Sequence, residues 1–275
     1  MTHLDARLLG DVRLSLDRSP VDIRSAKARA LFCYLIATRQ VHSRDRLAGF
    51  FWPDVPDRNA LASLRTALYE VRRGLGPGSG RYLIVDRTRI SFASGAAYSL
   101  DIDIVEAAGP EAGEPDRGVL EAAVAAYGGE FLAGLSVPDS YDFEDWVFLE
   151  RERLAQLILG ALCRLGRAYA TEGDYDRAVV TARRVLGVDP LREDVHRSLM
   201  EYLTYAGRRS EALAQFAACR KLLHDELGIE PLAATAEVHR RILADELVPR
   251  RDAMGGLQTL RPIPEAAMVD EPAVA

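Results

Sequence analysis

The second half of the chain carries an internal repeat with a period of 34 residues. Apolar residues recur at that offset in four pairs, namely Leu165 and Leu199, Tyr169 and Leu203, Ala178 and Ala212, and Ala182 and Phe216. A repeat of this length holds one supersecondary unit, and a single unit cannot bury its own apolar face. The period therefore predicts that this half of the chain folds as a stack of similar units.

The two repeat units resemble the tetratricopeptide pattern of two antiparallel helices. One unit covers residues 162–190 and the other covers residues 207–231, and each has a small residue, Ala178 or Ala212, where its two helices should cross. Because each helix pair needs neighbours to cover it, we expect a third pair within residues 119–159. A capping helix is expected within residues 233–247.

The first hundred residues show other periods. Alternating apolar residues predict two strands, over residues 8–16 and 21–23, and a hairpin formed by residues 81–85 and 89–93. Helical spacing of apolar residues predicts three helices, over residues 26–38, 44–52 and 60–75. This order of elements is typical of a winged helix-turn-helix. The predicted fold class is mainly α, with an N-terminal winged helix-turn-helix of α+β type followed by an all-α, tetratricopeptide-like helical-repeat domain.

Charge divides the chain at about the same place. The formal net charge is −6, but residues 1–95 carry 16 basic and 9 acidic side chains, whereas the remainder carries 19 basic and 32 acidic ones. The first part is therefore positive by 7 and the second part negative by 13. A basic domain suits a polyanionic partner, and an acidic domain does not.

The third predicted helix has two distinct faces. At about 100° per residue, its apolar residues fall within one arc of about 80° that must face the core: Leu61, Leu64, Leu68, Val71 and Leu75. The rest of the helix carries short hydrogen-bonding side chains and arginines. Short side chains let a helix approach base edges, and arginines reach phosphates. A solvated amphipathic helix would show the same pattern, so the helix alone leaves both interpretations open; the basic hairpin tip, Arg87-Thr88-Arg89, favours DNA.

Two stretches resemble a known family. Residues 7–95 resemble the OmpR-type winged helices of the Streptomyces antibiotic regulatory proteins, on the stretches RLLGDVRLSLDRSPVDI, KARALFCYLIATRQVHSRDRLAGFFWPD and NALASLRTALYEVRRGLG. Residues 99–246 resemble the bacterial transcriptional activation domain that follows the winged helix in the same proteins. Its signatures here are YGGEFLAGL, EALAQFAACRKLLHDELGIEP and the closing HRRIL.

The resemblance implies a set of DNA contacts. In that family the third helix reads the major groove, and the hairpin, or wing, enters the adjacent minor groove. The implied contact set is Asn59, Ser63, Arg65, Thr66, Tyr69, Arg72, Arg73, Arg87, Thr88 and Arg89. Base reading would fall to Ser63 and Thr66, and backbone contact to Arg72 and the wing arginines. Where many relatives have an arginine pair, this chain has Tyr69-Glu70; Glu70 would repel a phosphate or accept from a cytosine amino group.

The resemblance also implies partners and a domain layout. The partners are double-stranded promoter DNA, RNA polymerase near the −35 element, and a second copy of the chain, as a homodimer on direct repeats. The predicted domains are a DNA-binding domain over residues 1–97, an activation domain over residues 98–247 and a disordered tail over residues 248–275. Because the activation domain is acidic, we expect residues 1–97 alone to bind DNA, per site and at low salt, at least as tightly as the whole chain.

Catalytic, cofactor and metal sites are not predicted. The histidines show neither HExxH nor Cys/His spacing, and no phosphate loop of the form GxxxxGKS or GxxxxGKT occurs. Three dispersed cysteines, Cys33, Cys163 and Cys219, are expected to be buried thiols in a reducing cytoplasm. With no membrane-spanning run and no signal peptide, we expect a cytoplasmic protein without enzyme activity, cofactor or membrane contact. The alternative is an adaptor, whose winged helix and repeats bind protein or effector ligands.

Overall fold

The computed structural model describes residues 2–93, 95–113 and 115–247. The chain separates into two compact units, residues 1–164 and the residues from 165 onward. The first unit combines strands and helices, and the second is helical, which confirms the predicted fold class. The predicted boundary at residues 97 and 98 falls inside the first unit, and the predicted disordered tail, residues 248–275, lies outside the described residues.

The strands of the first unit form two small sheets. In chain order they are β1 (Leu4–Arg7), β2 (Arg13–Leu16), β3 (Ser19–Pro20), β4 (Val41–Ser43), β5 (Leu83–Val85), β6 (Arg89–Phe92) and β7 (Tyr98–Leu100). One sheet has the order β3-β2-β1-β7, and the other has the order β4-β6-β5. All pairs are antiparallel except β1 with β7, which is parallel.

The helices follow the same numbering. They are α1 (Ala26–Thr38), α2 (Arg44–Phe51), α3 (Asp57–Leu75), α4 (Asp101–Glu106), α5 (Arg117–Ala126), α6 (Tyr141–Thr171), α7 (Tyr175–Val188), α8 (Glu193–Tyr205), α9 (Arg209–Leu227) and α10 (Ala233–Leu243). Helices α1 to α3 with the β5–β6 hairpin make the winged helix-turn-helix, and α6 crosses from the first unit into the second.

Helices α1 and α2 begin where a serine can cap them. The Oγ of Ser25 accepts the N–H of Ala28 at 3.3 Å, and the Oγ of Ser43 accepts the N–H of Arg46 at 3.2 Å. The first N–H groups of a helix have no partner within the helix, so these hydroxyls satisfy them. Helix α1 has the predicted bounds, and α2 ends one residue early at Phe51.

Two predicted boundaries differ from the structure for local reasons. Only residues 13–16 of the predicted strand 8–16 are a strand, because Gly10 adopts a φ of 97° that breaks the extended chain. Residues 21–23 are not a strand either, since β2 pairs with β1 and with the short β3. Helix α3 begins at Asp57 instead of residue 60, because its first turn is exposed and lacks the apolar residues on which the pattern depends.

Packing in the core fixes the rotation of α3 about its own axis. Leu64, Val71 and Leu75 are buried with 2% or less of their surface exposed, as the apolar stripe predicts. Near the end of the helix, a Cβ on Gly74 would lie 2.8 Å from the carbonyl oxygen of Asp22. Only a glycine therefore permits this close approach, and the opposite face of α3 is fixed toward solvent.

The strand β7 and the residue after it join the winged helix to the segment that follows. The buried carboxylate of Asp101 accepts the N–H groups of Leu8 and Leu9, each at 2.8 Å. Burial raises the pKa of Asp101, although these N–H bonds favour its charged form. Without this carboxylate, two buried N–H groups in the turn between β1 and β2 would lose their acceptor.

The YGGEF motif packs against the same turn. The N–H of Leu132 donates to the carbonyl of Leu8 at 2.7 Å, and the N–H of Gly10 donates to the carbonyl of Glu130 at 2.9 Å. A Cβ on Gly128 would lie 2.9 Å from the carbonyl oxygen of Leu9. The glycine pair in this motif therefore allows two backbone segments to lie against each other.

An aromatic cluster joins α1 and α2 to the start of α6. Trp146 packs edge-on against Tyr34 with ring centroids 4.7 Å apart, and Phe143 lies 5.2 Å from Phe51. Ser140 donates its hydroxyl to the carbonyl of Phe51 at 2.7 Å. The sequence predicts that these aromatics anchor a helix–helix corner; the corner they anchor includes helices of the winged helix.

The second unit keeps the 34-residue relation between its helix pairs. Ala178 on α7 and Ala212 on α9 are fully buried, and Leu199 and Leu203 on α8 are buried. Both ring nitrogens of His196 have hydrogen-bond partners. Its Nε2 lies 2.8 Å from the carbonyl oxygen of Pro190, and its Nδ1 lies 2.6 Å from the side-chain amide nitrogen of Gln215. The expected capping helix is α10. The expected third pair within residues 119–159 is not a separate pair, because α6 runs without a break to Thr171.

Enlarging either repeat alanine is expected to destabilise the second unit. Ala178→Leu and Ala212→Leu each place extra volume in a buried helix crossing, and overpacking of this kind costs about 1–3 kcal/mol. The matched control is Ala214→Leu on the exposed side of the same helix α9, where surface changes stay within about 0.5 kcal/mol. Thermal unfolding measures the difference, and three equal melting temperatures would contradict the crossing role of these alanines.

Candidate nucleic-acid interface

The exposed half of α3 forms one continuous surface. At about 100° per residue, the buried residues of α3 span an arc of about 100°, and the exposed residues from Arg58 to Arg73 occupy an arc of about 140° opposite to it. The first turn of the helix adds Arg58 to this surface before the predicted start, whereas Asp57, exposed at the end of the helix, lies on the side of the buried residues. The face therefore runs over the whole helix.

The structure places every predicted contact residue of α3 on this surface. Asn59, Arg65, Thr66, Tyr69, Arg72 and Arg73 are exposed, and Ser63 is half-buried at the edge. The hydroxyl of Thr66 donates to the carbonyl of Ala62 at 3.2 Å, and this leaves its acceptor positions open. Tyr69, with 63% of its surface exposed, lies near the middle of the face.

Glu70 forms an ion pair that sequence analysis did not anticipate. Its carboxylate lies 2.7 Å from the guanidinium of Arg73, one helical turn away, and Glu70 is half-buried. The two charges compensate each other on the same face of α3. Glu70 is thus occupied within the helix, and Arg73 is a weaker candidate for a phosphate contact than Arg72.

The tip of the wing is closed by the carboxylate of Asp86. Its Oδ1 accepts the N–H of Thr88 at 2.7 Å and the N–H of Arg89 at 2.6 Å. These two N–H bonds lower the pKa of Asp86, because they favour its charged form. The closed turn leaves the side chains of Arg87, Thr88 and Arg89 exposed, which is the arrangement that a minor-groove contact requires.

The wing is also held to the start of α2. The N–H of Arg44 donates to the carbonyl of Thr88 at 3.0 Å, and its guanidinium donates to the carbonyl of Asp86 at 3.1 Å. The strand β4, just before α2, pairs with β6 of the wing. The wing tip and α2 therefore belong to one hydrogen-bonded structure.

The arginines of this surface are available for an external anion. Among the described residues, none of Arg58, Arg72, Arg87 and Arg89 forms a salt bridge, and all four are exposed. In contrast, Arg39 is bound to Asp103 and Glu106. Arg58 was missed by sequence analysis because the predicted helix began two residues after it; the Pro56-Asp57 pair was the available signal for an earlier start.

The part of the chain that the structure describes shows no second cluster of titratable or metal-ligating side chains. Within those residues no group of histidine, cysteine and carboxylate side chains could hold a metal ion. Burial raises the pKa of Cys33 to about 12 and that of Cys219 to about 11. No described helix combines the length and apolarity needed to cross a membrane.

A winged helix with an exposed basic face, followed by stacked helix pairs, defines a class of transcriptional regulator. Residues 105–243 match the family described as "Bacterial transcriptional activator domain", and this range is about half of the chain. The chain belongs to this family. The resemblance to the Streptomyces antibiotic regulatory proteins is thereby confirmed.

The relatives are named as regulators. The chain is 30% identical to the regulatory protein AfsR of Streptomyces coelicolor over 276 residues, which cover 96% of this chain and 27% of AfsR. It is 27% identical to the transcriptional regulator RedD of the same organism, over 89% of this chain and 72% of RedD. The chain thus spans about a quarter of the length of AfsR.

A solved structure shares the fold. It is EmbR of Mycobacterium tuberculosis in complex with a low-affinity phosphopeptide, with a TM-score of 0.67 and 23% sequence identity. The match covers 89% of this chain and 66% of that chain. The likeness concerns the fold alone.

Proposed function

We propose that this chain is a cytoplasmic, sequence-specific DNA-binding transcription activator and not an enzyme. Helix α3 lies in the major groove, and the wing enters the adjacent minor groove. The observation that carries the proposal is the set of exposed arginines on α3 and the wing tip, Arg58, Arg72, Arg87 and Arg89, that form no salt bridge among the described residues. The naming of its relatives as transcriptional regulators supports it.

The two ends of the α3 face differ in the contacts they offer. Asn59, Ser63 and Thr66 are short and lie in the first half of the helix, where the backbone can approach base edges. Arg72 follows in the second half, where a long cationic side chain reaches the phosphate backbone. The first half of α3 would therefore specify sequence, and the second half with the wing would supply affinity.

Two further partners are RNA polymerase and a second copy of the chain. RNA polymerase is recruited at the promoter by the acidic part of the chain, which does not itself attract DNA. Two copies bind direct repeats as a homodimer on DNA, and a direct repeat requires a head-to-tail contact between copies instead of a two-fold one. No cofactor takes part.

Selection of DNA fragments by the full chain tests this function. The wild type is expected to retain a small set of genomic fragments that share a repeated sequence. Thr66→Val, which keeps the shape of the side chain but removes its hydroxyl, is expected to bind DNA yet relax the preference at one base-pair position by about 5- to 10-fold, which is the low end of the about 1–3 kcal/mol that a base contact is worth.

Thr171→Val is the matched control. Thr171 is an exposed helical threonine whose hydroxyl also donates to the carbonyl four residues earlier, at 2.9 Å. It lies outside the winged helix, so its variant should select the same sequences as the wild type. Retention of no fragment by the wild type would refute the proposed function and favour the adaptor. An unchanged preference in Thr66→Val would remove Thr66 from base reading.

A further inference from the structure

The part of α6 that lies in the first unit leaves large apolar side chains in solvent. Tyr141, Phe148 and Leu149 have 59%, 62% and 65% of their surface exposed. Their spacings of seven and eight residues correspond to about two helical turns, so the three side chains share one face. We call this the α6 outer face.

The opposite side of the helix already supplies its packing. Phe143, Val147 and Leu154 are buried with at most 1% of their surface exposed. The helix is therefore anchored without the α6 outer face, and the exposed residues add nothing to that anchoring. Single exposed apolar residues are ordinary, but a group of large ones on one face is typical of a contact surface.

Carboxylates lie among these apolar residues. Asp142, Asp145 and Glu152 are exposed on the same side of α6, and within the described residues none of them forms a salt bridge. Their neighbour Glu150, by contrast, lies 2.8 Å from the guanidinium of Arg153. The α6 outer face thus combines an apolar centre with negative charges that are free to act on a partner.

We infer that the α6 outer face docks a cationic protein surface of RNA polymerase, with the side chains of Phe148 and Leu149 seated in an apolar groove that lysines or arginines border. This inference rests on the proposed function. DNA is unsuited to the face, because three free carboxylates would repel its phosphates. Aromatic and aliphatic anchors inside a charged rim are the composition that protein–protein interfaces favour.

The apolar part is tested by binding of the full chain to purified RNA polymerase holoenzyme of the host, in the absence of DNA. Phe148→Ala with Leu149→Ala is expected to weaken binding by about 10- to 30-fold, mainly through faster dissociation. The matched control is Val180→Ala with Val188→Ala, which removes two equally exposed side chains, 60% and 66%, from α7. The control should bind like the wild type.

The charged part is tested by reversal. Asp145→Lys with Glu152→Lys is expected to slow association with the polymerase by about 10-fold at low salt, and the difference should shrink as salt rises. The control is Asp225→Lys with Glu226→Lys, which reverses two exposed acids on α9. All variants are first compared with the wild type by thermal unfolding, and substitutions at exposed positions should leave the melting temperature unchanged.

Two results would overturn the inference. One is wild-type affinity for the polymerase in both the alanine and the lysine variants. The other is loss of cooperative binding to DNA with two repeats while polymerase binding persists, which would make a second copy of this chain the occupant. The polymerase measurement contains no DNA. Failure of the wild type to bind promoter fragments would therefore refute the proposed DNA binding, and the polymerase contact would still be decided by its own measurement.

Discussion

Replacing Arg72, Arg87 and Arg89 together by alanine is expected to weaken binding to every DNA sequence by about 10²–10³-fold at about 0.1 M salt. Each arginine that neutralises a phosphate releases counterions, so the slope of log K against log salt should become shallower by about 0.9 per contact, or about 2.7 for three. Sequence preference should be unchanged, because phosphate contacts carry no base information. Titrations at several salt concentrations measure both quantities.

The control removes the same charge from another surface of the winged helix. Arg7, Arg13 and Arg18 lie on or next to β1 and β2 of the four-stranded sheet, and all three are exposed. Their triple alanine variant changes the net charge equally but should keep the wild-type salt slope. Equal slopes in both triple variants would exclude α3 and the wing as the DNA surface. Adding Arg73→Ala to the first variant should change the slope less, because Arg73 is paired with Glu70.

A fragment of residues 1–97 is expected not to fold into a stable domain, whereas residues 1–164 should fold and bind DNA. The shorter fragment lacks β7, the Asp101 carboxylate, and the side chains of Phe143 and Trp146 that pack on α1 and α2. Losing a buried phenylalanine costs about 3–5 kcal/mol, and a whole domain is stable by only about 5–15 kcal/mol. The combined losses of stabilising free energy therefore exceed what a small domain can lose and still fold.

This expectation replaces the one drawn from charge alone, by which residues 1–97 would bind DNA at least as tightly as the whole chain. Circular dichroism and thermal unfolding of the two fragments decide between them. The point variant Asp101→Ala is a milder form of the same test. It leaves two buried N–H groups without an acceptor, and each should lower the free energy of unfolding by about 1–3 kcal/mol. Asp101→Asn keeps one oxygen for Leu8 and Leu9 and should lose less. Cooperative unfolding of the 1–97 fragment would show that the contacts across residue 97 are dispensable.

Local signals predicted the helices well. Ser25 and the apolar spacing after it gave α1 its correct bounds, and the stripe from Leu64 to Leu75 gave the correct buried side of α3. The 34-residue period placed Ala178 and Ala212 in equivalent buried positions. Each of these features depends on residues close in sequence or on a repeat, and both are visible without a structure.

Contacts between distant segments were not predictable in the same way. The bond from Leu8 to Asp101 spans 93 residues and the bond from Phe51 to Ser140 spans 89, and no periodicity links their partners. A boundary chosen at the change of pattern near residue 97 therefore cuts through a compact unit. The exposed arginines of the site could be selected by helix phase, but the pairing of Arg73 with Glu70 and the closing of the wing by Asp86 depend on side-chain geometry.

The two fully buried cysteines provide the molecule with a built-in unfolding reporter. Cys33 lies in the first unit and Cys219 in the second, both with no exposed surface and with pKa values raised to about 12 and 11. A thiol reagent attacks only an accessible thiolate, so each cysteine reacts when its own unit opens. In a Cys163→Ser background, the two labelling rates followed separately by mass spectrometry would give the opening free energy of each unit without any introduced probe.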